Sequence, residues 1–244
     1  MTRPETAMTG HVPARGSEQG TAAGRRDAPA AARLAAGVLL ALGLAGCSIL
    51  GGGNDRERST IYAPDPRVQI DPSAPTADWQ LSLSPPVGAR SIDSFRIAVR
   101  PNPNELQVYR GAAWAKVPTD MLQDALLRAL EDSGKLPSIA RQGAGIGADY
   151  KLAIDLRRFE ADYAGNAVPA ATIEFSAKLI HTFDQSIVAS RTFHHAEPAT
   201  GTDVALVVDA FSRGLGTVAA ELGSWILTQG GAHSRDTTRP DARR

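Results

Sequence analysis

Apolar and polar positions alternate in a regular way only between about residue 77 and residue 230 of the chain. Alternation with a period of two is typical of half-buried strands. It predicts strands at Trp79–Leu83, Phe95–Val99, Leu106–Tyr109, Tyr150–Leu156, Ile173–Leu179 and Ile187–His195. Asp184, Gln185 and Ser186 predict a hairpin loop between the last two strands.

Two further stretches have the helical period of three to four residues. The first begins at Pro118, where proline suits the first turn and Thr119 or Asp120 can serve as a cap, and Gly134 is expected to end it. Its apolar face consists of Met121, Leu122, Ala125, Leu126, Ala129 and Leu130. The second follows Thr200 and Asp203, and Gly230 and Gly231 are expected to end it. Its apolar positions are Val204, Val207 or Val208, Phe211, Leu215, Val218, Leu222 and Trp225.

The order of strands, helix, strands and helix predicts the fold class. We expect an α/β (α+β) domain over residues 77–230, a two-layer sandwich of a mostly antiparallel sheet with two main amphipathic helices. Residues 231–244 are polar and rich in arginine, so we expect a disordered tail.

The N-terminal part has the layout of a secretory signal. Arginines precede an uncharged apolar run, Leu34–Leu44, and small residues lead to Cys47. Leu44-Ala45-Gly46-Cys47 resembles the lipobox of bacterial lipoproteins. That resemblance implies cleavage of residues 1–46 and acylation of Cys47 with fatty acids such as palmitate. The alternative is an uncleaved transmembrane helix from Leu34 to Leu50, at the short end of the range needed to span a bilayer.

Residues 47–76 have the composition of a flexible linker. They contain Gly51, Gly52 and Gly53, several prolines, and no apolar period. In many bacterial lipoproteins, an aspartate directly after the lipidated cysteine retains the protein in the inner membrane. Ser48 occupies that position here, and by this resemblance it favours the periplasmic face of the outer membrane over the inner membrane.

Composition and motifs indicate a protein that is not an enzyme and has no cofactor. The 26 basic and 26 acidic residues balance, which argues against nucleic-acid binding. His194 and His195 are neighbours on one predicted strand and point to opposite faces, so a metal site that combines them with His181 is not expected. Gly143–Gly147 lacks the lysine of a phosphate-binding loop and precedes a strand.

Two aromatic residues are candidates for contact with a partner protein or a lipid. Tyr109 and Trp114 flank a Gly-Ala-Ala stretch that we interpret as a loop. The alternative is that both side chains turn under this loop into the core.

An ordered set of segments resembles the ABC-type transport auxiliary lipoproteins, the PqiC-like components that accompany MCE-type lipid or cholesterol transport systems. The segments are Phe95–Pro101, Leu106–Trp114, Asp120–Gly134, Ala148–Leu152, Leu156–Phe159 and the final helix as far as Trp225.

The resemblance implies a membrane-anchored, non-catalytic component whose partners are an MCE-domain protein, a permease and an ATPase. It implies a phospholipid or related cargo, and assembly of copies of the chain, because relatives form rings. The competing hypothesis is an outer-membrane lipoprotein that scaffolds or activates cell-wall or secretion machinery.

Overall fold

The computed structural model describes residues 59–237, which form one open sheet and two helices. Cys47 and the predicted signal lie outside the described residues. The strands are β1 (Thr60–Tyr62), β2 (Gln80–Leu83), β3 (Val87–Gly88), β4 (Arg96–Asn102), β5 (Glu105–Trp114), β6 (Ser138–Arg141), β7 (Tyr150–Asp162), β8 (Ala170–His181) and β9 (Ile187–Pro198). The helices are α1 (Pro118–Ser133) and α2 (Val204–Thr237).

Strand β7 is the centre of the sheet. It pairs along its whole length with β8, which in turn pairs with β9, and both pairings are antiparallel. The other edge of β7 is shared by β2, β3 and β4, all parallel to it. β4 continues antiparallel to β5, while β1 and β6 add short parallel pairs at β5 and β2. The long pairings are thus antiparallel and the short ones parallel, and the predicted α+β class is confirmed.

Both helices lie on one face of the sheet, and the core fills the space between the two layers. All six residues of the predicted apolar face of α1 are buried. The helix begins at Pro118 and ends at Gly134, which has a left-handed φ of 60°. Its N-terminal cap comes from a distant residue, since Asp93 accepts hydrogen bonds from the Thr119 backbone N–H (3.0 Å) and hydroxyl (2.9 Å).

Helix α2 continues past the glycines that were expected to end it, and it runs to Thr237. Gly230 faces the indole of Trp79, and a Cβ atom there would lie 2.4 Å from the nearest ring carbon. Gly223 stands in the same relation to Ile70, at 2.3 Å. These glycines make room for neighbouring side chains and do not stop the helix, so residues 231–237 are helical where a tail was expected.

The second half of the predicted linker lies on the folded domain. Residues 63–75, here called the N-terminal strap, follow β1 and contact both helices. Ile70 is buried against Gly223 and Leu130, and Pro66 approaches Gly216. The prolines therefore indicate an extended backbone that packs on the helix layer, and not a segment without tertiary contacts.

A buried carboxylate holds strands β4 and β7 together on the face of the sheet opposite the helices. Glu160 has a side chain only 1% exposed and accepts two hydrogen bonds from the Arg100 guanidinium, at 2.7 and 3.0 Å. Arg158 binds the same carboxylate at 2.7 Å and Asp162 at 2.5 Å. This charged network joins parallel strands whose backbone pairing is short.

We expect Glu160→Gln to lower the free energy of unfolding by about 2–3 kcal/mol, because partly buried Arg100 would lose its carboxylate partner and Arg158 would keep only Asp162. Chemical denaturation of the purified protein measures the change. The matched control on the same strand is Asp155→Asn, whose carboxylate is 60% exposed and 3.9 Å from Arg157. The control is expected to change stability by less than about 0.5 kcal/mol. Equal effects of the two variants would contradict the structural role of Glu160.

Candidate functional site

Trp114 lies in the core, at the end of β5. Its side chain is 2% exposed and forms edge-to-face contacts with Phe159 and Phe211, at centroid distances of 5.9 and 5.2 Å. Its indole N–H has no hydrogen-bond partner among the described residues. Trp114 therefore lies where the second interpretation of the sequence put it, in the core, and in this conformation its ring does not reach the surface.

Tyr109 is half-buried on the same side of β5 and packs against the edge of the core. Burial, with Tyr163 close by, raises the pKa of the Tyr109 hydroxyl above its ordinary value. The stretch between the two aromatics is part of the strand and not a loop. Gly111, with a φ of 64°, lies at a register shift against β4.

The exposed apolar side chains of this region lie on the opposite face of the sheet. Leu106 and Val108 alternate with Gln107 and Tyr109, and both are more than one-third exposed. Ile61 on the neighbouring strand β1 is 68% exposed. The sequence indicates this surface, because successive side chains of a strand point to opposite faces of the sheet. If Tyr109 faces the core, its neighbour Val108 must face the other side. A contact with a partner along β5 would use Leu106 and Val108 directly, while Tyr109 and Trp114 support the strand from within.

The histidines of β9 are separated as expected from the alternation. His194 is exposed on the outer face, whereas His195 faces α2 and contacts Glu197 (Nε2–Oε2 3.1 Å). A hydrogen bond from Arg213 (2.9 Å), with a further one from His195, holds the pKa of Glu197 below its ordinary value. Within residues 59–237, no three His, Cys, Asp or Glu side chains form a group that could hold a metal ion.

A second polar cluster joins the β8–β9 hairpin to the last turns of α2. The Tyr150 hydroxyl lies 2.9 Å from His233 Nδ1, and the rings of His233 and His181 are 5.1 Å apart. His181 Nδ1 lies 3.0 Å from the Asp184 carboxylate. Hydrogen bonds from Ser186 and then from His181 lower the pKa of Asp184 to about 2. The cluster fixes the hairpin against the helix, and Phe183 at the tip remains 92% exposed.

A pocket of about 290 Å³ lies between the N-terminal strap and α1. Two ion pairs are part of its lining: Lys116 lies 2.5 Å from Asp124, and Arg128 pairs with Asp65. A neighbouring, more open cavity of about 830 Å³ lies further along the strap, between residues 65–72 and the second half of α1.

Comparison with known proteins identifies the class of the chain. Residues 60–223 match the family described as the ABC-type transport auxiliary lipoprotein component. This range includes both layers of the fold, the strap and most of α2. The chain belongs to this family, and the resemblance found in the sequence is confirmed.

One solved structure and one curated protein are similar to the chain. The crystal structure of a Xanthomonas campestris protein is 55% identical, with a TM-score of 0.70 over 72% of this chain and 99% of that chain. An uncharacterized protein of Bradyrhizobium diazoefficiens is 25% identical over 187 residues, which are 75% of this chain and 49% of that protein. The chain therefore spans about half the length of this curated relative.

Family membership indicates a coarse role and a location. The family is described as an auxiliary component of ABC-type transport and consists of lipoproteins, which points to the cell envelope. None of the helices within residues 59–237 is long and apolar enough to cross a membrane.

Proposed function

We propose that the chain is a non-catalytic, lipid-anchored component of an MCE-type transport system that moves phospholipid or a related lipid across the cell envelope. The observation that carries this proposal is the match over residues 60–223 behind the Leu44-Ala45-Gly46-Cys47 motif. An MCE-domain protein, a permease and an ATPase are its partners, and the ATPase supplies the energy of transport.

The anchor in this proposal is acylated Cys47, on the periplasmic face of the outer membrane. More than one acyl chain is needed for lasting attachment, because each buried CH₂ contributes only about 0.8 kcal/mol. Ser48, in place of an aspartate, favours the outer over the inner membrane.

The role of the folded domain in this proposal is to bind protein partners. Apolar side chains are exposed along β5 at Leu106 and Val108. Exposed apolar side chains on a rigid strand are suited to a protein contact. Tyr109 and Trp114 contribute by holding this strand in place.

Affinity purification from detergent-solubilised membranes tests the proposal. The native chain, tagged at its C-terminus, is expected to recover an MCE-domain protein and co-extracted phospholipid. The double variant Leu106→Ser, Val108→Ser is expected to recover at least about tenfold less of the MCE-domain protein, since it removes apolar contact area without touching the core. Lys178→Ser, on the outer face of β8, is the matched control. Native chain that purifies with neither MCE protein nor lipid would contradict the proposed role.

A further inference from the structure

We propose that His181 and His233 together bind one Zn²⁺ ion, which joins the β8–β9 hairpin to the last turns of α2. The two imidazoles supply two of the four ligands of the ion, and water supplies the other two. The inference concerns a metal site and does not depend on the transported lipid or on the transport partners.

The two histidines come from elements that are distant in the chain and adjacent in the fold. His181 is the last residue of β8, and His233 lies in the part of α2 that continues past its glycines. Both rings pack on the ring of Tyr150, at centroid distances of 5.5 and 5.7 Å. Tyr150 is only 3% exposed, so it holds the two imidazoles in place, with 5.1 Å between their centroids.

The separation of the two rings matches the distance that a tetrahedral ion requires. Zn²⁺ lies about 2.0–2.1 Å from an imidazole nitrogen, and therefore about 3.2 Å from the ring centroid. At a tetrahedral angle of about 109°, two such centroids are about 5.2 Å apart. At the angle of about 90° in a square-planar Cu²⁺ site, they would be about 4.5 Å apart. The ring spacing therefore favours Zn²⁺ over Cu²⁺.

The hydrogen bonds of the cluster leave one nitrogen of each ring available for a metal. The ionised Asp184 carboxylate can only accept, so His181 donates from Nδ1 (3.0 Å) and keeps a lone pair on Nε2. We assign the same tautomer to His233, because the Tyr150 hydroxyl can donate to the Gly230 carbonyl (3.5 Å) and accept from His233 Nδ1 (2.9 Å). Histidines that bind metals usually donate their other N–H to an oxygen in this way.

Both Nε2 atoms are accessible from solvent. Neither has a hydrogen-bond partner within residues 59–237, and neither is enclosed among buried atoms. A hydrated ion can therefore reach them without disturbing the core.

The charge of the surroundings also favours a cation. The Asp184 carboxylate contacts His181. Burial, together with the charges of Asp149 and Asp78, raises the pKa of Tyr150, on which both imidazoles pack. The negative charge of these carboxylates lowers the energy of a divalent cation beside the two rings.

Calorimetric titration of the full chain with ZnSO₄ tests the site. The chain is purified in detergent without a polyhistidine tag and freed of metal with a chelator that is then removed. We expect one Zn²⁺ per native chain, and an affinity at least about tenfold lower for Asp184→Asn, which weakens the orientation of His181. His181→Ala and His233→Ala are each expected to lose measurable binding. His194→Gln, which removes an exposed histidine on the outer face, is the matched control and should bind as the native chain does.

Visible spectroscopy with Co²⁺ distinguishes metal binding from a merely structural effect of these variants. Co²⁺ absorbs strongly in a tetrahedral site with imidazole ligands, whereas hydrated octahedral Co²⁺ absorbs weakly. We expect strong absorption for the native chain and for His194→Gln, and weak absorption for His181→Ala and His233→Ala. Saturating Zn²⁺ should also raise the melting temperature of the native chain and leave that of the two alanine variants unchanged.

Three results would overturn the proposal. They are a native chain that binds no Zn²⁺, alanine variants at both histidines that bind it as the native chain does, and an octahedral Co²⁺ spectrum of the native chain. The last two would show that the metal binds adventitiously. If His233→Ala fails to fold, His233→Gln replaces it, because glutamine keeps a polar partner for the Tyr150 hydroxyl.

Discussion

Replacement of Cys47, the proposed lipidation site, by serine is expected to prevent acylation and to lower the membrane-bound fraction of the protein at least about a hundredfold. A thiol is a far better nucleophile than a hydroxyl near neutral pH, because a few per cent of it is ionised. Two or three acyl chains bind a bilayer much more strongly than the remaining polypeptide can, since each chain contributes about 0.8 kcal/mol per buried CH₂. An uncleaved transmembrane helix from Leu34 to Leu50, the alternative to the lipid anchor, would instead keep Cys47→Ser bound to membranes.

Mass spectrometry of the N-terminal peptide, together with membrane fractionation, measures this effect. The native chain is expected to begin at Cys47 and to carry the mass of its fatty acids. A chain whose residues 1–47 are exchanged for an ordinary cleavable secretory signal is the control, and it should be recovered in the soluble periplasmic fraction. Native protein that carries no fatty acid, with Cys47→Ser still bound to membranes, would eliminate the lipid anchor.

The second large effect is a change in thermal stability. It is expected at two adjacent glycines of α2, where replacement by alanine has opposite effects. Gly230→Ala would place a Cβ atom 2.4, 2.8 and 2.9 Å from three atoms of the Trp79 ring. That ring is 3% exposed and packs edge-to-face against Tyr150 at 4.8 Å, so a shift of the ring would disturb this packing. Overpacking costs up to about 3 kcal/mol, and the higher helix propensity of alanine offsets about 1 kcal/mol of it. We expect a net destabilisation of about 2 kcal/mol, or a melting temperature about 4–8 °C lower.

Gly231→Ala is the matched comparison. Its Cβ atom would meet only Arg235 Nη1 at 3.6 Å and Pro75 Cγ at 3.8 Å, which are ordinary contacts. The gain in helix propensity then remains, and we expect a melting temperature about 2–4 °C higher. Thermal unfolding followed by circular dichroism distinguishes the two variants. If Trp79→Leu abolishes the cost of Gly230→Ala, the clash with the indole is its cause, whereas additive effects would refute this explanation.

The periodic part of the sequence predicted most of the fold. The apolar face of α1 is buried residue for residue, and its end at Gly134 is confirmed. The β8–β9 hairpin turns at the predicted residues. Both are features that local spacing determines, because an amphipathic element must bury its apolar side.

The sequence missed features that depend on contacts distant along the chain. Strand β7 was expected to end at Leu156, since alternation fails after it. The structure has a register shift between Leu156 and Arg158, which moves Phe159 and Ala161 onto the inner face and lets the strand continue. Similarly, nothing near Gly230 indicates that Trp79 fills the space beside it.

The candidate site was predictable only in part. The sequence identified β5 and its aromatics, but not the side on which they lie, because the bulge at Gly111 puts Trp114 on the same face as Tyr109. The sequence does not indicate that β9 is an edge strand, because inner and edge strands can have the same alternation of apolar and polar residues.

The packing of the N-terminal strap on the helices limits the distance that the folded domain can move from the proposed lipid anchor. Residues 48–59 separate β1 from Cys47, the proposed lipidation site, and a fully extended chain of that length spans at most about 45 Å. A domain confined within such a hemisphere experiences an effective concentration of several millimolar, on the order of one molecule per 2 × 10⁵ Å³. At that concentration, contacts too weak to detect between freely diffusing molecules would be occupied much of the time at the membrane surface.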